Sequence, residues 1–151
     1  MRTEKQNAAW SVLRLFSVSK TNEIFIIRVA GHVAAGFPSP AEDFFEGPID
    51  LRAELIPNPD ASFIVKVLGN SMQDAQISDG DVLIIDRSVR PTNGCIAVCF
   101  LNGEFTVKRL EIRGKLVRLL PSNPAFQPID LAEGDELTVW GVVTYVIKKP
   151  V

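Results

Sequence analysis

One serine and one lysine, far apart in the sequence, are the residues of this chain that could do chemistry together. Ser71 follows the apolar run Phe63–Leu68, and Lys108 lies within the strand-like segment Phe105–Leu110. A serine hydroxyl becomes a strong nucleophile only when a base takes its proton, and a lysine can be that base only where burial keeps it neutral. The sequence therefore raises the possibility of a serine–lysine pair.

Each of the two residues also has an ordinary structural interpretation. Ser71 and Asp74 match the S-x-x-D capping pattern, in which the serine is simply the N-cap of a helix. Alternation along the second segment puts Lys108 and Arg109 on opposite faces of a strand, without telling which of them points inward. Arg109 stays protonated at any usable pH, whereas a desolvated Lys108 could act as a base. The local patterns leave both interpretations open.

The composition is that of one soluble globular domain preceded by an arm. The chain has 151 residues, of which 46% are hydrophobic and 23% charged, and its net charge of −2 argues against nucleic-acid binding through bulk electrostatics. Residues 1–35 carry more basic than acidic side chains, and residues 36–151 carry more acidic than basic ones. The sequence thus predicts a basic arm and an acidic body.

The cysteines and apolar segments indicate a reduced, cytoplasmic protein. Cys95 and Cys99 are the only cysteines, and in an extended strand they would lie about 13 Å apart, too far for a disulfide. The single His32 is remote from them, so we expect no metal and no other cofactor. No apolar run approaches the roughly 18 residues that span a membrane, and Arg28 interrupts the one segment that looks like a signal peptide. We expect neither export nor membrane association.

Short apolar segments separated by turn signals predict a mostly β fold, a partly open barrel or sandwich of short strands. Asn93-Gly94 and Asn102-Gly103 are hairpin signals, and Gly47-Pro48 is expected to break regular structure. One helical turn is predicted at Leu51–Leu55, and strands are predicted at Glu23–Val29, Phe63–Leu68, Val82–Asp86, Ile96–Leu101, Glu104–Leu110, Lys115–Pro121 and Leu137–Ile147.

Four segments follow one another along the chain: Ala35–Asp43, Gly69–Met72, Ile77–Asp86 and Gly103–Leu110. Together they closely resemble the LexA/UmuD family of self-cleaving serine–lysine peptidases, and its UmuD branch above all. A fifth, Trp140–Val143, resembles the last core strand of that family. The resemblance runs from about residue 35 to residue 149.

The resemblance implies a role for each matching position. Ser71 corresponds to the nucleophile, Lys108 to the general base, and Ala35-Gly36 to the bond that is cut. As a hypothesis, the backbone N–H groups of Ser71 and Met72 stabilise the oxyanion. The family also implies a compact peptidase-type, dimerising body (residues 36–151) and a flexible N-terminal arm (residues 1–35) that self-cleavage removes.

By the same resemblance, the function is SOS-response mutagenesis. Cleavage would be stimulated by the RecA–single-stranded-DNA filament, and the homodimeric body would serve a UmuC-type error-prone DNA polymerase as an accessory subunit in translesion synthesis. No helix-turn-helix pattern appears in residues 1–35, so we expect no direct sequence-specific DNA binding. Two alternatives stay open: a non-catalytic dimeric interaction module, and a phage-type regulator that self-cleavage switches.

Overall fold

The computed structural model describes residues 49–150 in full and, before them, only the backbone of residues 14–17, 26–29 and 46–48. The predicted scissile bond Ala35-Gly36, His32 and most of the predicted arm lie outside the described residues. The chain forms two units, residues 20–57 and residues 1–19 together with 58–151. Among the described residues, no helix is long and apolar enough to cross a membrane.

The smaller unit contains a two-stranded antiparallel sheet of β2 (Ile26–Val29) and β3 (Glu46–Asp50), followed by the short helix α1 (Leu51–Leu55). The Asp50 carboxylate accepts hydrogen bonds from two N–H groups of the first turn, which explains why the helix starts here. The helical turn was predicted correctly, but the expected break at Gly47-Pro48 is wrong. Among the described strands β3 pairs only with β2, and an edge strand of this kind accommodates Pro48.

The larger unit is built on one eight-stranded antiparallel sheet, which confirms the predicted mostly β fold. The spatial order of its strands is β1–β4–β5–β10–β6–β7–β8–β9. A one-turn 3₁₀ helix (Gln73–Ala75) follows β4. The strands are β1 (Arg14–Ser17), β4 (Ser62–Lys66), β5 (Val82–Asp86), β6 (Ile96–Leu101), β7 (Glu104–Arg113), β8 (Leu116–Leu120), β9 (Ile129–Asp130) and β10 (Leu137–Ile147).

The last strand in the sequence lies in the middle of this sheet. β10 pairs with β5 on one side and with β6 on the other, and its register shifts once against each neighbour. Such shifts bend a strand and increase its twist. β10 therefore joins the group β1–β4–β5 to the group β6–β9 through a bent central strand.

The central position of β10 also explains why one of the two predicted hairpins forms and the other does not. β5 and β6 both pair with β10 and not with each other, so the predicted hairpin at Asn93-Gly94 is wrong. Asn102-Gly103 does form the β6–β7 hairpin, with φ values of 49° and 91° at its two residues. Positive φ at both positions is what a tight two-residue hairpin turn requires.

Two clusters of buried apolar side chains stabilise the sheet. Cluster one contains Val107 of β7 and side chains of β4, β5 and β6, together with Met72 and Ile77 from the segment after β4. Cluster two contains Leu110 of β7 with Leu119 of β8, and includes Cys99. Because β7 contributes to both clusters, both of its faces are buried. This is why alternation alone did not show which side chain points inward.

The two cysteines are free thiols, as predicted. Cys99 is buried in cluster two, and Cys95 is partly buried against the same cluster. Burial raises the pKa of the Cys99 thiol to about 12. Cys99 therefore behaves as a small apolar core residue at neutral pH.

Candidate active site

Ser71 and Lys108 meet in the structure. The Lys108 Nζ atom lies 3.0 Å from the Ser71 Oγ atom, which is hydrogen-bonding distance. Lys108 lies in the middle of β7, whereas Ser71 lies in the loop that leaves β4, on the other side of β10 in the strand order. The fold thus brings together two residues that the sequence keeps far apart.

The Lys108 ammonium is held by two further oxygen atoms. Its Nζ lies 2.8 Å from the Thr106 Oγ1 atom and 3.0 Å from the Val107 carbonyl oxygen. None of the three partners is a carboxylate, so no negative charge compensates the lysine at these contacts. The exposed fractions of Ser71, Thr106 and Lys108 are only 1%, 0% and 5%.

Burial sets the protonation of Lys108. Desolvation disfavours the charged amine and lowers the pKa of Lys108 from 10.5 to about 8, while the nearby Cys99 acts in the opposite direction. A lysine with this pKa is neutral in a useful fraction of molecules near physiological pH. The amine can therefore take a proton without strong alkali.

The geometry suits proton transfer from Ser71 to Lys108. A neutral amine has two N–H groups and one lone pair. When the N–H groups point to the Val107 carbonyl and Thr106 Oγ1, the lone pair faces the Ser71 hydroxyl. The arrangement can then withdraw the hydroxyl proton and make the Ser71 oxygen a nucleophile.

Sequence reasoning missed Thr106. The available signal was its position two residues before Lys108 on the same strand, which places both side chains on one face. Arg109, on the other face, is half-buried and donates from Nη1 to the Gly94 carbonyl at 2.7 Å. The open choice between the two cations is thus resolved: Lys108 contacts Ser71, and Arg109 secures the turn before β6.

The helix-capping interpretation of Ser71 is wrong. The 3₁₀ helix begins at Gln73, its N-cap position is Met72, and no side chain caps it. Ser71 lies one residue too early for that role. Within residues 49–150, the Gln73 N–H donates to the Asn70 carbonyl at 3.2 Å, and no backbone hydrogen bond between turns or loops uses the Met72 N–H.

The loop after β8 secures the backbone around Ser71. The Ser122 N–H donates to the Ser71 carbonyl at 2.8 Å, and the Ser122 carbonyl accepts from the Asp74 N–H at 2.7 Å. The Asn123 Nδ2 atom donates to the Asn70 carbonyl at 2.8 Å. Since β8 pairs with β7, this loop connects the serine segment to the strand that carries Lys108.

The described residues do not suggest a metal-dependent site. No group of three or more His, Cys, Asp or Glu side chains in this part of the chain is arranged to hold a metal ion. The chemistry of the site is that of a hydroxyl, an amine and backbone N–H groups.

Comparison with known proteins identifies the family. The model of the Peptidase S24-like family matches residues 22–144. The chain belongs to this family. It is a UmuD-like member of the LexA/UmuD group of self-cleaving serine peptidases, as the resemblance of its motifs predicted.

Three relatives illustrate the placement of this UmuD-like chain. Protein SamA of Salmonella typhimurium is 42% identical over 115 residues, which cover 76% of the chain and 79% of SamA. Protein MucA of Escherichia coli is 40% identical over 122 residues, covering 79% and 82% respectively. The LexA repressor of Acidithiobacillus ferrooxidans is 44% identical over 121 residues, covering 78% of the chain but only 58% of the repressor.

Proposed function

We propose that this UmuD-like chain cleaves itself between Ala35 and Gly36, with Ser71 as the nucleophile and Lys108 as the general base. The observation that carries this proposal is the buried 3.0 Å contact between Lys108 Nζ and Ser71 Oγ. The described hydrogen bonds of Lys108 go to a hydroxyl of Ser71, a hydroxyl of Thr106 and the Val107 carbonyl. Membership of a family of self-cleaving serine peptidases supports the same reaction.

The reaction proceeds in two halves that share one lysine. Neutral Lys108 takes the Ser71 proton, and Oγ attacks the Ala35 carbonyl carbon while N–H groups of Ser71 and Met72 bind the oxyanion. The Lys108 ammonium then protonates the Gly36 nitrogen as the carbon–nitrogen bond breaks, leaving an ester on Ser71. Lys108 next takes a proton from water, whose oxygen attacks the ester, and returns it to Ser71. The products are residues 1–35 and residues 36–151.

The biological role that fits this chemistry is SOS mutagenesis, as expected of a UmuD-like protein. In this proposal, the RecA–single-stranded-DNA filament stimulates cleavage. The released body, residues 36–151, forms a homodimer and acts as an accessory subunit of a UmuC-type translesion polymerase. Removal of the basic arm converts the chain into its partner-binding form.

Mass spectrometry of the purified chain tests the peptidase proposal. We expect incubation at pH 7 and at pH 10 to yield fragments ending at Ala35 and beginning at Gly36, faster at the higher pH. Ser71→Ala and Lys108→Ala should abolish both fragments. Ser78→Ala, in the loop that follows, and Lys115→Ala, in an exposed turn, serve as matched controls that should cleave normally.

Two results contradict the peptidase proposal: no cleavage at alkaline pH, or cleavage by Ser71→Ala at the rate of the unmodified chain. Either would favour a non-catalytic interaction module.

The partner assignments need a separate test. We expect added RecA–single-stranded-DNA filament to accelerate cleavage at pH 7, and a co-expressed UmuC-type polymerase to copurify with residues 36–151 more strongly than with uncleaved Ser71→Ala. Sedimentation should give a dimeric mass for the cleaved body. Cleavage without filament stimulation or polymerase binding would favour a regulator that self-cleavage switches.

A further inference from the structure

Two consecutive carbonyl groups next to the nucleophile are held by the loop after β8. The Asn70 carbonyl accepts from the Asn123 side chain at 2.8 Å. The Ser71 carbonyl accepts from the Ser122 backbone N–H at 2.8 Å. These carbonyls belong to the two peptide planes that flank the Ser71 Cα atom. The Asn70 carbonyl also accepts from the Gln73 N–H at 3.2 Å, so the shorter of its two hydrogen bonds comes from outside the serine segment.

Fixing these carbonyls also aims the N–H groups of the same planes. In a planar trans peptide, the carbonyl of one residue and the N–H of the next point in opposite directions, and the described residues contain no cis bond. Holding the Asn70 oxygen therefore sets the direction of the Ser71 N–H. Holding the Ser71 oxygen sets that of the Met72 N–H, and these are the two donors proposed for the oxyanion.

Both polar atoms of the Asn123 side-chain amide form hydrogen bonds. Its Oδ1 atom accepts from the Ala125 N–H at 2.9 Å, which leaves Nδ2 to donate to the Asn70 carbonyl. The Asn123 carbonyl accepts from the Phe126 N–H at 3.1 Å and tightens the same turn. The side chain is therefore a fixed bridge between two loops that lie far apart in the sequence.

We propose that Asn123 is a positioning residue for self-cleavage. It holds the peptide plane between Asn70 and Ser71 so that the Ser71 N–H faces the developing oxyanion. This inference rests on the proposed peptidase function. The hydrogen bonds of the Asn123 side chain go to the Asn70 carbonyl and the Ala125 N–H, so Asn123 acts through the backbone. Its loss should therefore lower the rate without changing the proton equilibrium of the lysine.

Two substitutions separate this role from that of stabilising the turn. Asn123→Asp keeps an oxygen for the Ala125 N–H but has no donor for the Asn70 carbonyl. Asn123→Ser is a neutral companion whose shorter side chain does not reach that carbonyl. We expect both to cleave about tenfold to a hundredfold more slowly at saturating pH, with an apparent pKa still near 8.

Asn102→Asp is the matched control. Asn102 also bridges two loops, donating to Asp135 at 2.8 Å and accepting from the Glu136 N–H at 2.9 Å, but it lies at the β6–β7 turn. We expect this variant to lose stability and to keep its cleavage rate at temperatures well below unfolding.

The outcomes distinguish the inference from the function on which it rests. If the unmodified chain cleaves, Ser71→Ala does not, and Asn123→Asp cleaves at the rate of the unmodified chain, the positioning role is wrong and the peptidase stands. A slower rate of the neutral Asn123→Ser variant whose apparent pKa moves towards 10.5 also overturns it, because water has then entered the lysine site. If the unmodified chain and Asn102→Asp do not cleave at any pH, the peptidase itself fails, and the positioning role with it.

Discussion

At the residue scale, the proposed activity depends on how often Lys108 is neutral. With a pKa of about 8, roughly a tenth of the molecules carry the neutral amine at pH 7. We expect the cleavage rate to rise about tenfold per pH unit below pH 8 and to level off above it. Timed sampling of the fragments between pH 6 and pH 10 measures this profile. An inflection near 10.5 would show that Lys108 is solvated.

The same burial makes the stability of the fold depend on pH. Because the pKa of Lys108 falls from 10.5 to about 8 on folding, the unfolded chain binds more protons between these values, and the free energy of unfolding rises with pH there. The cost of burying the ammonium, on the order of 3 kcal/mol, is fully present below pH 8 and relieved by pH 10.5.

Replacing Lys108 by methionine isolates the contribution of this lysine to the pH dependence of stability. Lys108→Met cannot titrate, so its stability relative to the unmodified chain should fall between pH 7 and pH 9.5. The Cys99 thiol, whose pKa is raised to about 12, lowers stability as the pH rises above 9, but it is present in both proteins. Urea unfolding at the two pH values measures the difference, and an equal gap at both would exclude a depressed pKa.

The role of Thr106 can be predicted only from the structure. Thr106→Val keeps the shape of a fully buried side chain but removes the oxygen 2.8 Å from Lys108 Nζ. The amine then has one fewer fixed partner, and we expect cleavage to slow by about tenfold. Thr106→Ser, which retains the hydroxyl, should recover most of the rate. Equal rates for the Val and Ser variants would deny the hydroxyl a role.

At the element scale, β8 supports the lysine strand through its packing. Leu119 is fully buried in cluster two and lies opposite Leu110 of β7. Leu119→Ala should lower the free energy of unfolding by about 2–5 kcal/mol, because it leaves a cavity. Leu116 of the same strand is 70% exposed, and Leu116→Ala should change stability by less than about 0.5 kcal/mol. Urea denaturation compares the two variants, and similar losses would contradict the assigned core.

The sequence predicted those elements whose signals are local. The bounds of β5, β6 and β10 agree with their apolar runs, because turn residues end each run on both sides. β9 was missed because a two-residue strand has no periodicity to detect. The Asn93-Gly94 hairpin was wrongly predicted because the insertion of β10 between β5 and β6 is a long-range event that no local pattern encodes.

In the candidate site too, the sequence predicted only the residues that belong to a local motif. Ser71 and Lys108 were identified from motifs, whereas Thr106 and Asn123 become meaningful only when their contacts are known. Asn123 in particular lies in a Pro-rich turn whose local pattern indicates only a loop. Its amide reaches the serine segment because β8 pairs with β7 and delivers the following loop there.

At the scale of the whole molecule, an ion pair ties the end of the chain to the serine-side loop. Lys148, just after β10, contacts the buried Asp81 carboxylate and donates to the Gln76 carbonyl at 3.0 Å. Lys148→Ala leaves Asp81 without this cation, and we expect a loss of about 1–2 kcal/mol. Thermal unfolding measures it, with the adjacent exposed Lys149→Ala as the control. Equal melting temperatures for the two variants would show that the pair contributes little.

The central place of β10 has a consequence for the order of events during synthesis. The serine segment belongs to the β4–β5 side of the sheet and the lysine to the β6–β9 side, and the strand between them leaves the ribosome after both. Until residues 137–147 emerge, the two sides have no common strand to hold them in register. A growing chain therefore carries both chemical groups without the strand that aligns them, and the proposed self-cleavage has to wait until residues 137–147 have been synthesised.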